Sequence, residues 1–477
     1  GPEASQPAPL IALPELRERA LERRDSNPYD DVWQVIVNKS EEDLRDPDPT
    51  TWDHSAHGHN ARVAQAAATR AWLDGDAAAA EKARLALDRL EADLARSDDW
   101  DLNIRLPRAV TCSANAVELL QASGFATDDE AAVWNGVISD IGEEAYARFV
   151  LDDAMRQIAL GFSQNNHPLR TASAIGYAAL ADLDAPGATE RLDWALSEYD
   201  YLLGPDGQYI QSDGVVSEGP HYYAFGLGAV LSFLVGVDHR LPADRLVVRD
   251  CVNRQDVDPW AGHGCVDGEP FPFSNPIRDP LFHAAADWSV SQRLPTGHRP
   301  PRADSYLVSV NGLPLLTHYG APDHLMWDWL DNADAPLELG KGMDLSLQHL
   351  LLADGDPAAA PPTWTHAVYP AGGEATLRSG WDSDARWLML AAENGAARKT
   401  LHDHVDGTSF QVAAYGDYLL VDTGYYKPQE LDNAKTAPGP SHNVLLIDGE
   451  GAPDKGLLTN WGDADAFLEN GVVADDI

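Results

Sequence analysis

Near residue 300 the chain changes its hydrophobic period, and this switch limits the fold more than any other feature. From about residue 55 to 240, stretches such as "HNARVAQAAATRAWL", "AAAAEKARLALDRLEADLARS", "DEAAVWNGVISDIGEEAYARFV" and "YAFGLGAVLSFLVGV" place apolar residues three and four apart, with Gly, Pro and Asp breaks between them. That spacing predicts amphipathic helices of similar length joined by short loops, an array of stacked hairpins that curves into a toroid or solenoid. After the Pro-rich passage "RLPTGHRPPRADS" at 293–305 the period becomes two, in "SYLVSVNGLPLLTHYG", "GEATLRSGWDSDARWLMLAAE", "SFQVAAYGDYLLVDTGYY" and "HNVLLIDGEG". Alternation broken by Asn-Gly, Gly-Asp and Asp-Gly predicts antiparallel strands, most simply a sandwich. The expected organisation is α+β and multidomain: residues 1–20 a tag remnant and linker, 21–300 helical, 301–477 antiparallel β-sheet. A groove is expected where the halves meet.

A chain of 477 residues has ample material for two or three cores. Its 34 Lys and Arg against 76 Asp and Glu give a net charge of −42, which repels phosphate backbones and anionic lipid and argues against nucleic-acid or membrane partners. An acidic substrate stays possible if one cleft reverses the field, and Arg105, Arg108, Arg170, Arg398 and Lys399 are available for that. Three cysteines make no disulfide scaffold; pairing of Cys251 with Cys265 is left open. The N-terminal "GPEASQPAP" has no basic region followed by an apolar one, so a signal peptide, had there been one, is already removed. Fourteen Trp and fifteen Tyr lean slightly toward a carbohydrate ligand.

Three stretches carry the polar chemistry. In "KTLHDHVDGTSF", His402, His404 and Asp406 stand two apart, which on an extended chain aims them at one pocket, for metal ligation, proton transfer or structure alone. Asp422 ends a later strand and His442 opens another segment; with His404 they make a donor set suited to zinc. In "SQNNHPLRTASAIGYAAL", Asn165, Asn166 and His167 precede a helix expected to begin around Pro168. This is either a capping sequence or a carboxylate-binding corner with Arg170 beside it. In "QSDGVVSEGPHYYAFG", Glu218, His221, Tyr222 and Tyr223 open a further helix, as core residues or as a general acid-base group.

Taken in order, "NNHPLR", "DGVVSEGPHYY", "HDHVDGTSFQVAAYGDYLLVDTGYY" and "SHNVLLIDG" resemble the heparinase II/III-like superfamily of polysaccharide lyases and its oligoalginate-lyase relatives, over roughly residues 60 to 450. The resemblance implies an incomplete (α/α) toroid followed by antiparallel sheets, secretion or export to the periplasm, and cleavage of a 4-linked uronic-acid glycan by β-elimination. It implies Asn166 and His167 at the uronate carboxylate, Tyr222 as catalytic tyrosine and His402 as a second proton-transfer group. Arg170, Glu218, Tyr223 and Arg398 would contact the glycan, and His404, Asp422 and His442 would hold a structural zinc. Two departures stand out. His221 occupies a position where relatives often carry an aromatic residue, so Tyr223 competes with Tyr222; and the chain ends about 35 residues after His442, which leaves room for a second chain or a homodimer partner to complete the sheet region. The alternatives are a uronate C5-epimerase, an inactive glycan-binding protein and, from His-x-His-x-Asp, a metallo-hydrolase.

Overall fold

The computed structural model describes residues 8–161, 164–204, 206–243, 245–251, 265–310, 312–332, 345–395, 402–425, 439–451 and 466–469. Among the described residues ten α-helices precede the first strand: α1 Pro14–Arg23, α2 Tyr29–Glu41, α3 His54–Asp74, α4 Ala77–Leu87, α5 Leu106–Ala122, α6 Asp128–Tyr146, α7 Asp153–Leu160, α8 Asn166–Ala181, α9 Ala188–Leu203 and α10 Gly219–Arg240. Local signals set their ends. Asp53 caps α3 by accepting from the amides of Ser55 and Ala56, Gly75 stops it in the left-handed region, and Thr127 with Glu130 forms a capping box on α6.

Two rows result. Helices α3, α5, α8 and α10 pack side by side as an inner row, with α2, α4, α6 and α9 against it as an outer one. Every residue of α8 is buried, although the helix includes Asn166, His167, Arg170, Thr171 and Ser173. Buried polar groups of the inner row are mutually bonded: Tyr177 donates to Asn115 Oδ1 at 2.6 Å, and Asn115 Nδ2 to Gln65 Oε1 at 2.8 Å. Helix α10 is long and apolar enough to cross a membrane, but 78% of its most apolar window is buried in this core.

The domain limits differ from those expected. Leu10 and Ile11 are 1% exposed, and the backbone amides of residues 10–12 donate to the Glu118 carboxylate, so the folded part begins inside the segment expected to be tag and linker. After α11 Pro280–Ser291, helical structure also continues past residue 300, in α12 His324–Leu330 and α13 Ser346–Leu352. Helix α13 returns to the N-terminus, where Arg23 donates to the carbonyls of His349, Leu350 and Ala353. The segment 313–319, expected as strand, is a 3₁₀ helix; Leu313, Leu315 and Leu316 are all fully buried, and a short apolar run of this kind suits either conformation.

Strands β1 Leu246–Val248 and β2 Pro270–Pro272 make a small antiparallel ladder, with Cys251 and Cys265 in a disulfide beside it. The main sheet is a meander of β3 His366–Tyr369, β4 Glu374–Arg378, β5 Trp387–Ala391, β6 Phe410–Ala414 and β7 Asp417–Leu420, antiparallel throughout. Tyr415 and Gly416, both at positive φ, turn β6 into β7, as a two-residue hairpin loop of the primed type requires. Among the described residues this is one five-stranded sheet; the expected second layer of a sandwich is absent from them, and "HNVLLIDGEG" forms only an isolated bridge between Ile447 and Glu450.

The sheet is clamped to the helices through α11. Trp288 Nε1 donates to Glu374 Oε2 at 2.7 Å, and Arg378 donates to the carbonyls of Ser291 and Arg293. Trp387, Met389, Ala391 and Ala413 pack around Leu294. The Pro-rich 293–305 passage is itself part of this clamp. Arg293 and Arg299 both pair with buried Asp328, while Arg302 pairs with Glu374 and Glu393, each guanidinium nearly inaccessible.

Candidate active site and metal centre

Two helix N-termini build one wall. Asn165 caps α8 by accepting from the Asn166 amide at 3.0 Å, which aims Asn166 and His167 out of the first turn. Helix α10 starts at Gly219 with φ 80°, and Pro220 supplies the restrained first turn. Glu218, just before it, is 1% exposed. Its Oε1 accepts from Asn166 Nδ2 at 3.0 Å and bonds to His402 Nδ1 at 2.8 Å. One carboxylate oxygen thus joins α8, α10 and a loop from the sheet region. Burial raises its pKa, and the bonds from His402 and Asn166 offset only part of that rise.

The second wall comes from the loop before β6. The His402 ring lies on the Tyr222 ring, centroids 3.6 Å apart and planes 13° from parallel. The Tyr222 hydroxyl bonds to that of Tyr425, with His221 edge-on to Tyr222, Tyr306 and Tyr425. Burial, then Tyr425, push the Tyr222 phenol well above its ordinary pKa, so it stands as a protonated donor. Gly424 makes the Tyr425 contact possible: its φ is 52°, a Cβ there would lie 2.4 Å from the Ser305 carbonyl oxygen, and the Tyr425 amide donates to that oxygen at 2.8 Å.

His167 faces the same region. Asn103 Nδ2 donates to its Nδ1 at 3.2 Å, and Nε2 stands 3.6 Å from Asp101 Oδ1. Burial, with His402 and Arg170 nearby, lowers its pKa to about 3, so the ring is a neutral hydrogen-bonding group.

Asn166, Tyr222, His402 and Glu218 converge as a unit, with His167 beside them. Arg170 is elsewhere engaged: it is 3% exposed and donates to the backbone carbonyls of Ile104 and Phe225, so it braces α8 instead of reaching a ligand. Tyr223 is 2% exposed, edge-on to Trp288, and its position in the core gives it no access to the cleft. Glu218 lies beneath the site and holds other side chains rather than facing a glycan. Arg398, expected as a substrate contact, lies outside the described residues, as does Lys399. Asn103, Asp101, Tyr306 and Tyr425 were not anticipated; only Tyr425, in "VDTGYY" just after Asp422, sits next to a motif that could have flagged it.

His402, His404 and Asp406 do not share a pocket. The segment is an irregular loop instead of a strand, so the two-residue spacing imposes no common face. His404 points to Asp422 and His442, and one donor atom from each of the three lies within 4.8 Å of the others. His404 Nε2 is held by Asp304 Oδ1 at 2.9 Å, while its Nδ1 is buried without a hydrogen-bond partner; His442 Nδ1 bonds to Asp422 Oδ2 at 2.8 Å. Two imidazoles, one of them oriented by the Asp304 carboxylate, and the carboxylate of Asp422 are a donor set that fits zinc.

No protein-family model matches the chain, and no curated protein sequence matches it. Solved structures do. The chain is similar to a heparinase III at 15% identity and TM-score 0.49, over 87% of this chain and 57% of that one. It is similar to a heparan sulfate lyase from Pedobacter heparinus at 14% and 0.48, over 92% and 65%, so it spans less than two thirds of either enzyme's length. An alginate lyase from Bacteroides ovatus matches at 14% and 0.37, over 48% of this chain and 75% of that one. These solved structures to which the chain is similar are thus a heparinase, a heparan sulfate lyase and an alginate lyase.

Proposed function

We propose that the chain is a polysaccharide lyase that cleaves 4-linked uronic-acid glycans by β-elimination. The observation that carries this reading is the convergence on Glu218, where an amide from α8 and an imidazole from the sheet region share one carboxylate oxygen while that imidazole stacks on the phenol of Tyr222.

Elimination removes the proton at C5 of the uronate and expels the oxygen at C4. The C5–H electron pair becomes the C4–C5 double bond, the C4–O bond breaks, and the leaving oxygen takes a proton. The uronate carboxylate resists the charge that builds up, and donors from Asn166 and His167 offset it; such preorganised donors contribute about 3 kcal/mol each. With His402 Nδ1–H assigned as donating to Glu218, Nε2 is the basic nitrogen and takes the C5 proton. The Tyr222 phenol, held protonated, is suited to deliver a proton to the leaving oxygen, with Tyr425 as its hydrogen-bonded neighbour. This division gives the catalytic tyrosine the acid role and the second proton-transfer group the base role.

Zinc fits His404, Asp422 and His442, where it would tie the His402 loop to the segments after β7 and around residue 442. The disulfide supports an oxidising location such as the periplasm or the extracellular space. Incubation with alginate, glucuronan, hyaluronan, chondroitin and heparan sulfate, followed by ultraviolet absorbance of the unsaturated uronate and by product size, tests the reading. An epimerase would change the uronate's configuration with no rise in absorbance, and failure on every glycan would leave a binding protein.

A further inference from the structure

Beyond the reacting groups, the described structure holds a second cluster of possible ligands. Glu393, Asp403 and Asp406 each bring a carboxylate oxygen within 4.8 Å of the other two. Glu393 follows the end of β5, while Asp403 and Asp406 belong to the loop that carries His402. Glu393 and Asp406 are fully buried. Neither oxygen of Asp406 has a hydrogen-bond partner, although the side chain is aimed at the other two carboxylates. A carboxylate removed from water without a donor is unstable as an anion unless a proton or a cation meets it.

The cation already present does not suffice. Arg302 ion-pairs with Glu374 and with Glu393, and Glu374 takes further bonds from Trp288 and Gln292. One guanidinium therefore faces two buried glutamates before Asp406 is counted.

We propose that Glu393, Asp403 and Asp406 bind a hard divalent cation of the calcium type, at a site separate from the histidine-containing one. All three donors are oxygens, which selects against zinc and copper. Three protein carboxylates at one site favour calcium over magnesium, which keeps several of its waters and is usually held by only one or two carboxylates. The cation fastens the 402–409 loop to the end of β5, as zinc at His404 would fasten it to the far side. The inference does not depend on which glycan is cleaved, or on whether one is.

The test uses the full chain, stripped with chelator, reloaded with one equivalent of zinc and titrated with calcium chloride. Calorimetry and metal analysis should give one calcium per chain, with a rise of several degrees in melting temperature. Asp406→Asn should lose that rise and weaken binding at least tenfold while keeping its zinc. Should that variant fail to fold, Asp403→Asn, at a partly exposed position, should weaken calcium binding with zinc unchanged. Failure of the wild-type chain to take up calcium at millimolar concentration overturns the proposal without any variant. So does calcium that one further equivalent of zinc displaces, or binding that Asp406→Asn retains in full.

Discussion

The helical and sheet regions present their functional side chains in opposite ways. In the helical region Asn166, His167, Glu218 and Tyr222 stand at the starts of α8 and α10, where capping and a proline set the backbone before any ligand arrives. In the sheet region the corresponding groups lie on a loop with no repeating backbone hydrogen bonds, and His402, His404 and Asp406 go to three different destinations. The lesson is that the helices supply a rigid wall, whereas the other wall is positioned by long-range side-chain bonds and, on the proposals above, by bound ions.

The strongest way to break this comparison is to mutate the two histidines of that loop. His402→Gln, whose amide can still donate to Glu218, should lower kcat about 10²–10⁴-fold, the usual range for a proton-transfer group, with melting temperature within a few degrees of wild type. His404→Ala should do the reverse to the fold: it takes away the buried imidazole bonded to Asp304 and should cost about 3 kcal/mol, read as a lower melting temperature together with lost zinc. Equal effects of the two on stability would mean that the loop is one structural unit without a division of labour. An unchanged zinc content in His404→Ala would remove His404 from the ligand set.

The division also explains what the sequence made legible. Helix periodicity survives in "HNARVAQAAATRAWL" because neighbours three and four apart share one face whatever they pack on, so the helical region could be read from local pattern. The motif residues at α8 and α10 were legible for the same reason, since capping and Pro-first turns are local. What escaped depends on distant partners. Arg170 looked like an anion-binding group until its guanidinium was found on the carbonyls of Ile104 and Phe225. The 293–305 passage read only as a Pro-rich domain boundary, yet Arg293, Arg299 and Arg302 are buried cross-braces whose acidic partners lie 29 to more than 70 residues away.

A smaller effect sharpens the electrostatic side of the helical wall. The His167 pKa falls to about 3 on folding, so from about pH 6.5 downward the unfolded chain binds a proton that the folded chain does not. His167 therefore contributes stability that is fully present above about pH 6.5 and is lost as pH falls toward 3, with a limiting slope of about 1.4 kcal/mol per pH unit. His221, lowered to about 4 chiefly by burial, adds to the same trend, while Glu218, whose pKa is raised, acts in the opposite sense as pH rises through the carboxylate range. Denaturant melts between pH 4 and 6.5 should show a shallower pH dependence in His167→Gln than in wild type. Equal slopes would mean that His167 is protonated in the fold.

The smallest effect separates two adjacent tyrosines on one helix. Tyr222 stacks on His402 and meets Tyr425, whereas the Tyr223 hydroxyl is buried beside Trp288 with no hydrogen-bond partner. A hydroxyl that gave up water without gaining a partner opposes folding, and removing it relieves that cost, while the ring keeps its packing. Tyr223→Phe should therefore leave stability unchanged or raise it by up to about 1 kcal/mol, with kcat/KM within about twofold of wild type. Tyr222→Phe should abolish turnover at an unchanged melting temperature. If Tyr223→Phe were instead the inactive variant, the phenol of the reaction would have to come from the core, and the cleft between helices and sheet would not be where the glycan is cut.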